Sequence, residues 1–217
     1  MKPDYSFYIA LGYISFLSII IPLSIGLFRF KYLKSQNRIF FMLIPVSIIT
    51  EITIYILFKY RINNLFVSRI QGIAEFILLS FFFARVFASP PWPRYIYLLI
   101  FVFLGVAVFD LSVNGFNSLD NISLATECIL LMIYSILAFF QLVQNPVYEN
   151  ILSAPLFWFN TGILTYFSGN LFLFVFSNYV ESHFARLAPA LWGIHSALNI
   201  IFYLLITLGL WRTKAQT

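Results

Sequence analysis

The chain has 217 residues, of which 61% are hydrophobic and 10% are charged, with a single cysteine and a net charge of +5. A mean hydropathy of +0.91 lies far outside the range of soluble domains and excludes a water-soluble enzyme or binding domain. The positive charge does not indicate nucleic-acid binding, because most basic residues flank apolar segments, where they set topology or meet lipid headgroups. A lone Cys128 excludes an internal disulfide and a thiolate metal cluster.

Seven apolar segments follow one another, each long enough to cross a bilayer as a helix. They are predicted at residues 6–28, 39–58, 65–88, 94–113, 122–144, 156–178 and 187–211. Pro22 and Pro45 interrupt the first two segments, and the proline-rich run at 90–93 ends the third. The first segment is too long for the apolar core of a signal peptide. The sequence therefore predicts one all-α integral membrane domain over residues 1–217, a single seven-helix bundle.

The distribution of lysine and arginine predicts how the bundle is oriented. The first and third connections and the C-terminal tail carry Arg29, Lys31, Lys34, Arg38, Arg85, Arg94, Arg212 and Lys214, and the fifth connection, on the same side, carries none. The opposite side carries only Lys2, Lys59, Arg61, Arg69 and Arg186. Because cytoplasmic loops are enriched in basic residues, we predict an outside N-terminus and a cytoplasmic C-terminus, in a bacterial inner membrane.

Polar and ionisable side chains fall inside five of the predicted helices. An ionisable group there costs about 2.5–3.5 kcal/mol on insertion scales, so it normally faces protein, water or a partner. With a rise of about 1.5 Å per residue, Glu51, Glu75 and Glu127 lie in the outer half of the bilayer, Glu75 near its midplane. Gln71 is one turn from Glu75, and His195 lies at a similar depth. We predict that these groups converge on a polar cavity at or just below the outer face.

Helical spacing selects the residues that we expect to share this cavity. Trp192, His195 and Asn199 fall on one face of the last helix at about 100° per residue, and Tyr166 and Asn170 fall on one face of the sixth. The predicted ligand-binding residues are Glu51, Arg69, Gln71, Glu75, Glu127, Tyr166, Asn170, Trp192, His195 and Asn199.

A purely structural role is the alternative for part of this set. Amides such as Asn160 and Asn199 also join helices, at roughly 0.6 kcal/mol per hydrogen bond. Arg69 is expected to extend toward the outer surface or to neutralise a neighbouring glutamate. Asp110 lies near a helix end and needs no functional role.

Several chemistries can be compared with this pattern. No lysine lies in the middle of the last helix, which excludes a retinal Schiff base, and no cofactor is expected. A metal held by Glu75 and His195 has little support, because His195 has no His or Asp one turn away. A small-solute transporter or proton-coupled channel that uses intramembrane Glu and His is the first alternative to a receptor. An intramembrane metal-dependent enzyme is the second.

Three regions of the chain carry a family resemblance. They are Asn-Asn-Leu at 63–65 with Ile-Ala-Glu-Phe at 73–76, Tyr-Phe-Ser-Gly-Asn-Leu-Phe at 166–172, and His-Ser-Ala-Leu-Asn-Ile at 195–200. They resemble poorly characterised bacterial seven-helix membrane proteins associated with sensor histidine kinase systems. The resemblance implies a membrane sensory unit that shares Glu75, Asn170, His195 and Asn199 with that group. Because only six residues follow Trp211, it also implies a separate histidine kinase or other cytoplasmic protein as partner.

The sequence thus predicts a non-enzymatic sensor or receptor-like module. It is expected to bind a small ligand or a proton in the outer half of the bundle and to signal through a separate cytoplasmic partner. His195 among carboxylates predicts a pH-dependent response. The expected partners are membrane lipids and a small molecule, without nucleic acid, and a homo-oligomer is compatible with the sequence.

Overall fold

The computed structural model describes residues 5–116, 118–144 and 150–213, which are helical and contain no β-strand. The helices are α1 (Ser6–Ser18), α2 (Ile20–Arg29), α3 (Ser35–Phe41), α4 (Leu43–Lys59), α5 (Leu65–Val86), α6 (Trp92–Asn114), α7 (Asn121–Gln144), α8 (Pro155–His183) and α9 (Ala188–Trp211). Joined as α1–α2 and α3–α4, they form seven spans long and apolar enough to cross a membrane, counted over the described residues. This pattern is that of a multi-pass membrane protein. Lys2 and Lys214, used above to predict orientation, lie outside the described residues.

The prediction of seven apolar helices is confirmed, and the differences lie at the helix ends. The first span continues to Tyr32 through a short 3-10 turn, and the second begins at Ser35. The sixth runs on to His183, which was expected in a connection. In its last turn the Tyr179 ring stacks on the His183 ring, with the ring centroids 4.5 Å apart.

Proline interrupts the first two spans, as predicted. The α-helices break at Ile19 and Met42, each three residues before a proline, Pro22 and Pro45 respectively. Proline has no N–H to donate and its ring crowds the carbonyl four residues earlier, so the helical ladder loses a hydrogen bond at this point.

The helices pack around α5, α8 and α9. Helix α8 lies between α7 and α9, α5 contacts α3, α4, α6 and α7, and both α1 and α2 pack on α9. Four fully buried rings, Phe40, Phe82, Phe83 and Phe159, form what we term the phenylalanine core. Phe40 stacks on Phe159 with ring centroids 4.4 Å apart. This core occupies the end of the bundle where the first, third and fifth connections lie.

Small residues allow α8 and α9 to approach closely. A Cβ atom placed on Gly169 of α8 would lie 2.7 Å from the Leu198 side chain, and one on Gly209 of α9 would lie 2.4 Å from the Phe159 ring. Close approach at glycine is the usual way in which transmembrane helices gain packing contacts. These glycines therefore have a packing role.

Candidate functional site

The end of the bundle opposite the phenylalanine core encloses a cavity of about 150 Å³. We term this the cavity end; it is where the second, fourth and sixth connections join the helices. Its walls come from α4, α5, α7, α8 and α9, with the α6–α7 connection. Eight of the ten residues predicted from the sequence line it: Glu51, Gln71, Glu75, Glu127, Tyr166, Trp192, His195 and Asn199. Their shared location is a geometric finding, and ligand binding by them stays a prediction.

Arg69 does not line the cavity. Its side chain is only 6% exposed, and Nη2 donates to the Gly115 carbonyl at the end of α6, at 3.1 Å. A backbone acceptor at the end of the neighbouring helix thus holds the Arg69 guanidinium inside the protein, and ligand binding by Arg69 stays a prediction.

Asn170 also lies behind the cavity wall, where it positions His195. Asn199 donates its amide to Nε2 of His195 at 3.3 Å, so Nε2 is the acceptor. Nδ1 then donates to Oδ1 of Asn170 at 2.8 Å. The amide of Asn170 in turn donates to the Tyr166 carbonyl at 2.8 Å. This chain of hydrogen bonds fixes a neutral imidazole with its proton on Nδ1.

Aromatic rings surround the His195 imidazole. The ring centroids of Trp192, Tyr166 and Phe174 lie 5.7, 5.9 and 5.7 Å from that of His195. Nε1 of Trp192 also donates to the Glu181 carboxylate, at 3.3 Å. The α8–α9 side of the cavity is thus formed by aromatic rings packed around His195.

The opposite side of the cavity is rich in carboxylates. Glu51 on α4, Glu75 on α5, Glu127 on α7 and Asp120 in the α6–α7 connection all line it, and none of its described lining residues is Lys or Arg. Glu127 is 2% exposed, and its Oε1 has no hydrogen-bond partner in the part of the chain that the structure describes. A buried carboxylate oxygen without a partner is unfavourable, so this wall favours a ligand that donates hydrogen bonds or carries positive charge.

Four lining residues beyond the predicted set bring further polar groups: Ser47, Ser68, Asp120 and Tyr203. Ser47 and Tyr203 lie on the same helix faces as Glu51 and His195, so helical spacing could have found them. Asp120 lies in the α6–α7 connection, outside the helical pattern that predicted the other carboxylates. It is 4% exposed, and burial raises its pKa, partly opposed by its backbone hydrogen bond and the Arg69 charge.

The raised pKa of Asp120 predicts a pH-dependent effect of substitution. A carboxyl whose pKa is higher in the folded than in the unfolded state lowers the free energy of unfolding as the pH rises above its unfolded-state pKa, and the loss is complete above the folded-state pKa. Asp120→Asn should therefore unfold at a higher temperature than the wild type at pH 7, and the difference should shrink toward pH 4. Thermal unfolding in micelles from pH 4 to 8 measures this. An equal shift at every pH would contradict burial as the cause.

The end of the bundle opposite the cavity is basic. Arg29 at the end of α2 donates to the Thr213 carbonyl at 2.7 Å, and its guanidinium lies 4.6 Å from the Trp211 ring centroid. Arg85 donates to the Ser35 hydroxyl at 2.9 Å. These contacts join the ends of α2, α5 and α9 to neighbouring segments.

Neither a metal cluster nor a known family explains the site. Over residues 5–116, 118–144 and 150–213, no three His, Cys, Asp or Glu side chains are grouped so that they could hold a metal ion. The chain matches no protein-family model, no curated protein and no solved structure. The resemblance to seven-helix proteins of sensor kinase systems therefore stays a prediction.

Proposed function

We propose that the protein is a receptor-like membrane module that binds a small, positively charged ligand in the cavity. The observation that carries the proposal is the meeting of carboxylates from α4, α5 and α7 with His195 and Asn199 of α9 in one enclosed space. Ionisable groups inside membrane spans are unfavourable unless they have a use or a partner. Because these groups converge on one cavity, a role as separate contacts between helices does not explain them.

Charge and ring chemistry select the ligand class. The cavity offers acceptor oxygens at Glu75 and Glu127, with no basic side chain among its described lining residues. An ammonium group would supply hydrogen bonds to Oε1 of Glu127 and charge complementarity. The rings of Trp192 and Tyr166 add a surface that attracts cations.

The distribution of polar groups favours a receptor over a carrier. The cavity occupies one end of the bundle, and the phenylalanine core fills the other with fully buried rings. A solute crossing the protein would have to displace this core. In our proposal the N-terminus and the cavity face outside, and the basic end faces the cytoplasm of a bacterium across its inner membrane.

Helix α9 offers a route for the signal. Trp192, His195 and Asn199 lie in its first half, while Trp211 at its other end contacts Arg29. A ligand that binds one position of α9 better than another would shift the helix toward that position. The change would reach the basic end, where a separate histidine kinase or other cytoplasmic protein would detect it.

Binding of butylammonium by the protein in nanodiscs tests the proposal. We expect concentration-dependent thermal stabilisation by butylammonium and little by butanol, because only the amine pairs with carboxylates. Glu127→Gln should weaken the binding at least about 10-fold, since it removes the charge that faces the ligand. Thr53→Val, two residues from Glu51 and outside the cavity lining, should leave it unchanged.

Two results would contradict the proposal. One is stabilisation by butylammonium that is equal in the wild type and Glu127→Gln, which would place binding elsewhere. The other is transport of butylammonium into proteoliposomes that Glu127→Gln abolishes, which would identify the protein as a carrier.

A further inference from the structure

A second hollow, of about 510 Å³, opens on the outside of the bundle between α1 and α4. We term it the lateral groove. Apart from Glu51 and Gly12, it is lined by Ile9, Tyr13, Phe16, Leu17, Ile52 and Tyr55. Tyr13 and Tyr55 are 62% and 60% exposed, on spans apolar enough to cross a membrane. The groove therefore faces the region that acyl chains would fill.

The packing of the helices explains the groove. Helix α1 packs on α9, whereas α4 packs on α5, so a gap is left between α1 and α4. A Cβ atom placed on Gly12 would meet no atom within 4 Å, so the space beside this glycine is open.

Glu51 belongs to both hollows. Its side chain lines the polar cavity and also the lateral groove, where it is the one carboxylate among the described lining residues. Glu51 is thus the one described side chain that borders both hollows. Beyond it lie Glu75 and Glu127, the latter with its unpartnered oxygen.

We propose that the ligand is a single-chain amphiphile with a cationic amine headgroup, which enters from the bilayer. The headgroup passes Glu51 into the cavity and pairs with the carboxylates, while the alkyl chain stays in the lateral groove. This inference rests on the proposed function and adds the chemical class and the route of the ligand. The small size of the cavity and the apolar walls of the larger groove match the two parts of such a molecule.

Two chain lengths separate this inference from the proposed function. Decylammonium and butylammonium share a headgroup, but only the decyl chain is long enough to need the groove. Gly12→Phe places a ring in the groove without entering the cavity. In nanodiscs it should weaken decylammonium binding at least 10-fold and leave butylammonium binding within 2-fold.

Partition of the amine into lipid is the same for every variant, so it cancels in this comparison. Gly105→Phe on α6 is the matched control, because a Cβ on that exposed glycine also meets nothing within 4 Å; it should leave both affinities unchanged. Ile52→Phe, on the opposite wall of the groove, should weaken decylammonium binding as Gly12→Phe does. It replaces Gly12→Phe in the comparison if that variant fails to fold. Decanol should bind at least 10-fold more weakly than decylammonium.

The outcomes are distinct. Decylammonium binding that survives both groove variants would overturn the lateral route, and equal binding of decanol would overturn the cationic headgroup. Failure of butylammonium to bind the wild type would instead contradict the proposed function.

Discussion

Replacing Asp110 with alanine is expected to lower the free energy of unfolding by about 3 kcal/mol, because buried donors would lose a charged acceptor. Asp110 is fully buried within α6. Its Oδ2 accepts from the backbone N–H of Ser123 at 2.7 Å and from the Ser123 hydroxyl at 2.8 Å. Oδ1 accepts from the Asn114 amide. One carboxylate thus caps the start of α7 and joins it to α6.

Chemical unfolding in detergent micelles measures the effect of Asp110→Ala, with Ser112→Ala as the matched control. Ser112 is exposed, and its hydroxyl bonds only the Phe109 carbonyl of its own helix, so its loss should change stability by less than about 0.5 kcal/mol. Ser123→Ala should lower the free energy of unfolding by an intermediate amount, since the backbone N–H of residue 123 still donates to Asp110. Equal unfolding midpoints for Asp110→Ala and Ser112→Ala would show that the cap does not stabilise the bundle.

Hydropathy predicted the seven spans because a long apolar run in this composition has few alternatives to a membrane helix. The ends were harder to place. The turn from Ser35 and the turn that reaches His183 are polar, and a helix can continue past its apolar residues when local side chains stabilise it. Apolarity therefore predicted the position of each helix along the chain but did not predict the residues at which it ends.

Helical spacing predicted most of the cavity, because residues three or four apart share a face. It could not separate side chains that reach the cavity from those that support it. Asn170 lies on the predicted face, but its amide nitrogen donates to the Tyr166 carbonyl and its amide oxygen accepts from His195. The lateral groove was not predicted at all, since it depends on the gap that packing leaves between α1 and α4, and no local pattern in one sequence indicates such a gap.

The contact between Phe159 and Gly209 offers a sharper test of the packing at the other end of the bundle. Phe159 is fully buried on α8, and its ring centroid lies 4.4 Å from that of Phe40. Gly209 on α9 faces the same ring, and a Cβ atom placed on Gly209 would lie 2.4 Å from it. One ring therefore fills the core and also sets how closely α9 can approach.

A double-mutant cycle should reveal this shared role. Phe159→Ala should destabilise by about 3–5 kcal/mol through the space it leaves, and Gly209→Ala by about 1–3 kcal/mol through overpacking. The double variant should be less destabilised than the sum by at least about 1 kcal/mol, because the new methyl group enters the space that the ring vacates. Chemical unfolding in micelles measures all four proteins. Strict additivity would mean that α8 and α9 do not meet at this contact.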